Sequence, residues 1–157
     1  MIEKQRLINL IIEKLKQELA NAVNSANQAH LAATDDQSVA ETQYDTLGIE
    51  ASYLAHGQSE RAAMIQQQIV SYESLNCRSF EDDDEIALTA IVALDDSEQK
   101  LYFIGPHAGG LQLKIDNKMV NVITPTSPLA EQLIGLSIYD EIRLPNTSNL
   151  IEIRAVY

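Results

Sequence analysis

The chain has 157 residues and a formal charge of −12, with 11 Lys and Arg against 23 Asp and Glu. That length suits one domain or two small ones, and 45% hydrophobic with 22% charged residues excludes wholesale disorder. No apolar run approaches the roughly 20 residues that span a bilayer, and the acidity disfavours autonomous binding to a nucleic-acid backbone.

Met1 leads into an alternating charged and apolar pattern instead of a basic-then-apolar signal, so secretion is not expected. Cys77 stands alone, which excludes an internal disulfide and a cysteine-rich metal site and points to a reducing cytoplasm. Charge is unevenly spread: residues 1–33 carry a net +1, 34–80 a net −5 and 81–157 a net −8.

The first element is helical. Ile8, Ile12, Leu15, Leu19, Ala22, Ala26, Ala29 and Ala33 recur at alternating spacings of 4 and 3. This 3.5-residue repeat specifies a supercoiled seam against one partner helix. The seam is Ile and Leu at first and Ala throughout from 22 to 33, so the helix pair should be narrow at its far end. A second helical pattern runs through Leu47, Ala51, Leu54, Ala62, Ile65, Ile69 and Tyr72, with a stutter expected near Gly57 and Gln58.

Between them lies Thr34-Asp35-Asp36-Gln37-Ser38, where Thr34 or Asp35 would cap the returning helix and acids would suit its positive end. The simplest structure is an antiparallel coiled-coil hairpin over 1–76 with an acidic tip at 34–41. At 1.5 Å per residue its arms reach roughly 40 Å. Taken alone, the tip acids are a solvated cap.

Residues 77–85 carry the acidic run Glu81–Glu85 and read as a solvated linker. Residues 86–157 read as a small α+β domain. Its strands are expected at Ile86–Leu94, Leu101–Ile104, around Leu111–Ile115, around Val120–Val122, at Ile142–Leu144 and at Leu150–Val156. Gly105-Pro106-His107-Ala108-Gly109-Gly110 is a turn, since no Lys-Ser/Thr follows to make it a phosphate loop. Ser127-Pro128 opens a short helix and Gly135 stops it. His30, His56 and His107 are widely separated and make no recognisable metal site.

Two segments carry a family resemblance. Ser127-Pro128-Leu129-Ala130-Glu131-Gln132-Leu133-Ile134-Gly135, followed by Asp140-Glu141-Ile142, resembles the Ser-Pro-apolar…Leu-Ile-Gly segment of Gre-type transcription factors. More loosely, Ala40-Glu41-Thr42-Gln43-Tyr44 is similar to their Glu-Asn-x-Glu-Tyr segment. The resemblance covers essentially the whole chain. It implies an FKBP-like C-terminal domain that docks on bacterial RNA polymerase through an acid-Ser-Pro corner, here Thr126, Ser127 and Pro128. It also implies a hairpin entering the secondary channel, with Asp35, Asp36 and Glu41 facing the active site.

Family members help hold a Mg²⁺ in the polymerase's own centre, a hard cation suited to carboxylates. The resemblance therefore implies no intrinsic cofactor and no metal of the chain's own, only a Mg²⁺ shared through Asp35 and Asp36. With Tyr44 fixing the register, however, the two family acids fall on Gln37 and Ala40, and the nearby acids are displaced by one or two positions. A helix turns about 100° per residue, so the displaced acids point elsewhere. Inhibition or regulation of the polymerase is accordingly favoured over stimulated transcript cleavage. Thr126 also replaces the acid of the corner, which removes a charge-assisted contact.

The expected protein is a monomeric, non-enzymatic cytoplasmic factor with no membrane and no sequence-specific nucleic-acid partner. Prolyl isomerisation would want a deep aromatic pocket, for which a chain without Trp is poorly supplied. A coiled-coil interaction module unrelated to polymerase is the third reading.

Overall fold

The computed structural model describes residues 3–34, 47–95, 99–144 and 149–157. The chain divides into two compact units: Ile12–Glu73, and the residues up to Ile11 together with Ser74–Tyr157. The sequence division at 76 and 85 differs from this, because the first turns of the first helix group with the second unit.

The unit Ile12–Glu73 is a helical hairpin built from most of α1 (Lys4–Thr34) and all of α2 (Leu47–Glu73). Lys16 of α1 meets Glu73 near the end of α2 at 3.5 Å, as antiparallel arms require. The heptad residues of α1 face inward as their spacing demands. Leu15, Ala22, Ala26 and Ala29 are buried, and Ile12, Leu19 and Ala33 are half-buried. Buried apolar surface stabilises by about 25 cal/mol per Å², so the Ala stretch contributes little per residue and gains its place by allowing close approach.

In α2 the inward positions are Gly48, Ala51, Ala55, Gln58, Ala62, Ile65, Ile69 and Tyr72. Their spacings alternate between 3 and 4 without a break, so the expected stutter at Gly57 and Gln58 is absent. The seam passes through Ala55, and Leu54 is 56% exposed. A Leu knob opposite the Ala stretch of α1 would hold the backbones apart, so size overrides hydrophobicity here.

Thr34 does not cap a returning helix. It ends α1, where its hydroxyl donates to the His30 carbonyl at 3.0 Å and satisfies an otherwise orphaned C-terminal acceptor. The tip residues Asp35, Asp36 and Glu41, with the expected first turn of the return arm, lie outside the described residues.

The second unit is a six-stranded sheet with strands β1 (Ile91–Leu94), β2 (Lys100–Ile104), β3 (Gln112–Ile115), β4 (Lys118–Ile123), β5 (Glu141–Arg143) and β6 (Leu150–Val156). Their order is β3-β4-β2-β1-β6-β5. Every pair is antiparallel except β2 and β4, where Leu101 lies opposite Val120 and Phe103 opposite Val122. The parallel pair arises because β3 occupies the edge and returns the chain through the two-residue turn Asp116-Asn117. Both turn residues have positive φ, as a tight hairpin with native twist requires.

The expected strand from Ile86 begins only at Ile91. Ile86 instead exchanges backbone hydrogen bonds with Gly135 and Leu136, at 2.9 and 2.8 Å, and Thr89 turns the chain at φ 74°.

Both faces of the sheet are covered. On one, Leu133 of α3 (Pro128–Leu133) packs with Val92, Leu94, Tyr102, Ile104 and Ile153. On the other, Ile91, Leu101, Phe103, Val120 and Val122 are equally buried. The remaining described helical segment of this unit, the start of α1, buries Leu7, Ile8 and Ile11. Leu7 and Ile11 lie outside the 3.5-residue seam and broaden the apolar stripe, as a helix facing more than one neighbour requires.

Two substitutions test these assignments. Ala55→Leu should destabilise the protein by about 1–3 kcal/mol through overpacking, and Leu54→Ala should change it by less than about 0.5 kcal/mol, read by denaturant melts. The reverse ranking would restore the stutter. Gly135 has φ +87° and open space where a Cβ would stand, so Gly135→Ala should cost about 1–2 kcal/mol from backbone strain alone.

Candidate functional site

The Ser127 corner is a built structure. Thr124 accepts a 2.8 Å hydrogen bond from the Ser127 N–H, which closes the turn out of β4. Ser127 takes extended φ and ψ, and its hydroxyl oxygen accepts the Ala130 N–H at 3.3 Å. Pro128 follows at the first helical position, where a missing N–H loses nothing. The Ser127 carbonyl accepts the Glu131 N–H at 2.9 Å, and Ala130 and Leu133 anchor the helix in the core. Gly135 then leaves the helix at positive φ and donates to the Ile86 carbonyl.

The result is a rigid corner on which Thr126 and Pro128 are exposed and Ser127 is half-buried. Asp140, from the second part of the same motif, accepts the Ser137 N–H on its carboxylate at 2.8 Å and the Ile153 N–H on its carbonyl at 2.9 Å. It orients the entry to β5.

Other candidates separate clearly. Glu81–Glu85 is more ordered than a solvated linker. Asp84 accepts the Glu81 N–H at 2.9 Å, donates its own N–H to the Glu81 carbonyl and pairs with Arg78. Gly109-Gly110 is a turn, with Gly110 at φ +90° and its N–H on the Val122 carbonyl. His56 lies 3.5 Å from Glu60, one helical turn away. Among the described residues, no three His, Cys, Asp or Glu side chains converge as a metal site. No described helix is long and apolar enough to cross a membrane.

One cluster has no counterpart in the sequence reading. Lys4, at the start of α1, lies 4.5 Å above the Phe80 ring, and the Arg78 guanidinium lies 5.0 Å from the same ring. Lys4 Nζ donates to the Arg78 carbonyl oxygen. Burial is the main reason its amine falls from 10.5 to about 8; Cys77 opposes the shift and Arg78 reinforces it. Burial likewise pushes the Cys77 thiol up, against the attraction of Lys4. Residues 74 positions apart leave no local pattern from which sequence reasoning could find this cluster.

The fold and the corner define a helical-hairpin protein with an appended mostly antiparallel sheet domain. No known family model and no curated protein matches the sequence. Solved structures are similar to it, among them the following two. GreA factor homolog 1 (Gfh1) of Thermus thermophilus shares 19% identity over 93% of this chain and 94% of its own, with a TM-score of 0.34. Gfh1 of Thermus aquaticus shares 18% identity over 98% and 93%, with the same TM-score.

The lowered Lys4 amine has a signed consequence for stability. Below about pH 8 both folded and unfolded chains carry its proton, and the folded state bears the desolvation cost in full. Between about 8 and 10.5 the unfolded chain binds more of the proton, so stability rises with pH as that cost is relieved. Lys4→Met should therefore stabilise the protein at pH 7, by a margin that shrinks from pH 8 to 10.5. A constant difference in urea melts across that range would remove Lys4 as the cause.

Proposed function

We propose that this protein is a regulator of bacterial RNA polymerase that docks beside the secondary channel and inserts its helical hairpin toward the active site. The observation that carries the reading is the Ser127–Gly135 segment. The residues that resemble the Gre-type docking motif form a capped, stopped and exposed corner, with Thr126, Ser127 and Pro128 at its apex. The narrow hairpin supports it as well, because an Ala seam lets two helices enter a space too slender for larger side chains.

In this reading the factor performs no chemistry of its own. It works as a cytoplasmic monomer, reads no nucleic-acid sequence and carries no intrinsic cofactor. Any Mg²⁺ belongs to the polymerase centre and is shared through Asp35 and Asp36. The absence of carboxylates at Gln37 and Ala40 favours inhibition or tuning over stimulated cleavage.

The test is retention of core polymerase on the tagged protein, followed by transcript cleavage in backtracked complexes. Ser127→Ala should lose the cap, at about 1 kcal/mol of stability, and weaken polymerase binding with the sheet domain still folded. Suppressed cleavage or synthesis supports inhibition. Stimulated cleavage abolished by Asp35→Ala with Asp36→Ala makes the protein a cleavage factor instead. No retention of polymerase leaves the interaction-module reading.

A further inference from the structure

A cavity of about 320 Å³ is lined by Glu3, Lys4, Cys77, Arg78, Phe80 and Tyr157, all within the sheet unit. This is the lower end of the size range for small-molecule sites. Two of its lining groups are cations gathered on one aromatic ring, at 4.5 and 5.0 Å from its centre.

Their charges are balanced unequally. Arg78 pairs with Asp84. For Lys4, no carboxylate lies within ion-pair reach among the described residues, and its hydrogen bond goes to a neutral backbone carbonyl. An ammonium has three donors, so two remain. A partly desolvated cation without a counter-charge is unfavourable, and an anion entering the cavity would relieve it. The ring of Phe80 supplies apolar wall beside Cys77 and Tyr157, while Glu3 on the same lining penalises a highly charged ligand.

We propose that this cavity binds a small organic anion, a carboxylate or phosphate monoester carried on a compact apolar body, with Lys4 as the principal counter-ion and Arg78 as the second. The site is independent of the polymerase reading and stands or falls without it.

The experiment uses the full chain with benzoate and phenyl phosphate as probes, and with inorganic phosphate and benzyl alcohol as controls. Lysine-selective NMR follows Lys4 during each titration. Either aromatic anion should bind saturably below about 10 mM. It should also raise the Lys4 titration midpoint from about 8 toward the ordinary lysine value. Lys4→Met and Arg78→Gln should each weaken that binding at least about tenfold with thermal unfolding still cooperative.

Inorganic phosphate binding as well as phenyl phosphate would remove the role of the apolar wall. Benzyl alcohol binding as well as benzoate would make the site an apolar cavity only. No saturable binding, or an unmoved Lys4 midpoint in the wild-type chain, overturns the proposal even if a variant fails to fold.

Discussion

The helical unit depends on how closely two backbones can approach. The Lys16–Glu73 pair sets Ala26, Ala29 and Ala33 level with the Ala55–Ala62 stretch of the other helix, so the facing surfaces there carry little side-chain depth. Dispersion contacts between such surfaces decay within about an ångström of separation, so the pair is held only if the approach is kept close. Larger residues are therefore displaced from the seam whatever their hydrophobicity. Leu31, Ile49, Tyr53 and Leu54 are each more than half exposed, although any of them would bury more apolar area than the alanines that replace them inside. Hydrophobic burial alone would choose the opposite arrangement. The seam is set by geometry first and area second, and the helices must supply the rest through their own propensity.

The same helix obeys a different rule near its start. Around Leu7, Ile8 and Ile11 it belongs to the sheet unit, where the apolar stripe widens and a strict heptad no longer describes it. β2 is buried on both faces from Leu101 to Ile104, and a parallel pairing with β4 places it in the interior of the sheet. The helix thus carries two packing patterns, a narrow seam within the hairpin unit and a wider apolar stripe within the sheet unit.

These differences explain which parts of the chain could be read without coordinates. Period is a property of local sequence, so the α1 seam, the alternating strands from Leu111 to Val122 and the capped helix after Ser127 were all legible. Phase within α2 was not, because choosing Leu54 over Ala55 follows hydrophobicity and ignores the thinness of the partner. The apolar run from Ile86 looks like a strand by composition, yet Thr89 turns it and its backbone groups pair with the segment after α3. That pairing joins residues about 50 positions apart in the chain, beyond any local window. The Lys4, Arg78 and Phe80 cluster was invisible for the same reason. The acidic tip was legible as composition, but its residues lie outside those the structure describes.

At the Ser127 corner, the hydrogen bonds already made decide what a partner could use. The Ser127 N–H, carbonyl and one hydroxyl lone pair are committed to Thr124, Glu131 and Ala130. What remains outward is a hydroxyl hydrogen, the Pro128 ring and the exposed Thr126 side chain. Such a surface offers shape and neutral hydrogen bonds, and neutral bonds are roughly half as strong as those to a carboxylate. Charge attraction to a basic partner must then come from elsewhere on an acidic chain. Glu81, Asp82, Asp83 and Glu85 are all exposed on the sheet unit, and Asp84 of the same turn is already paired with Arg78. Long-range attraction of that kind accelerates encounter but is screened beyond about 8 Å in physiological salt. A polymerase contact made by this corner would therefore associate in a salt-sensitive way, while its geometry, fixed by Ser127 and Gly135, would depend little on salt.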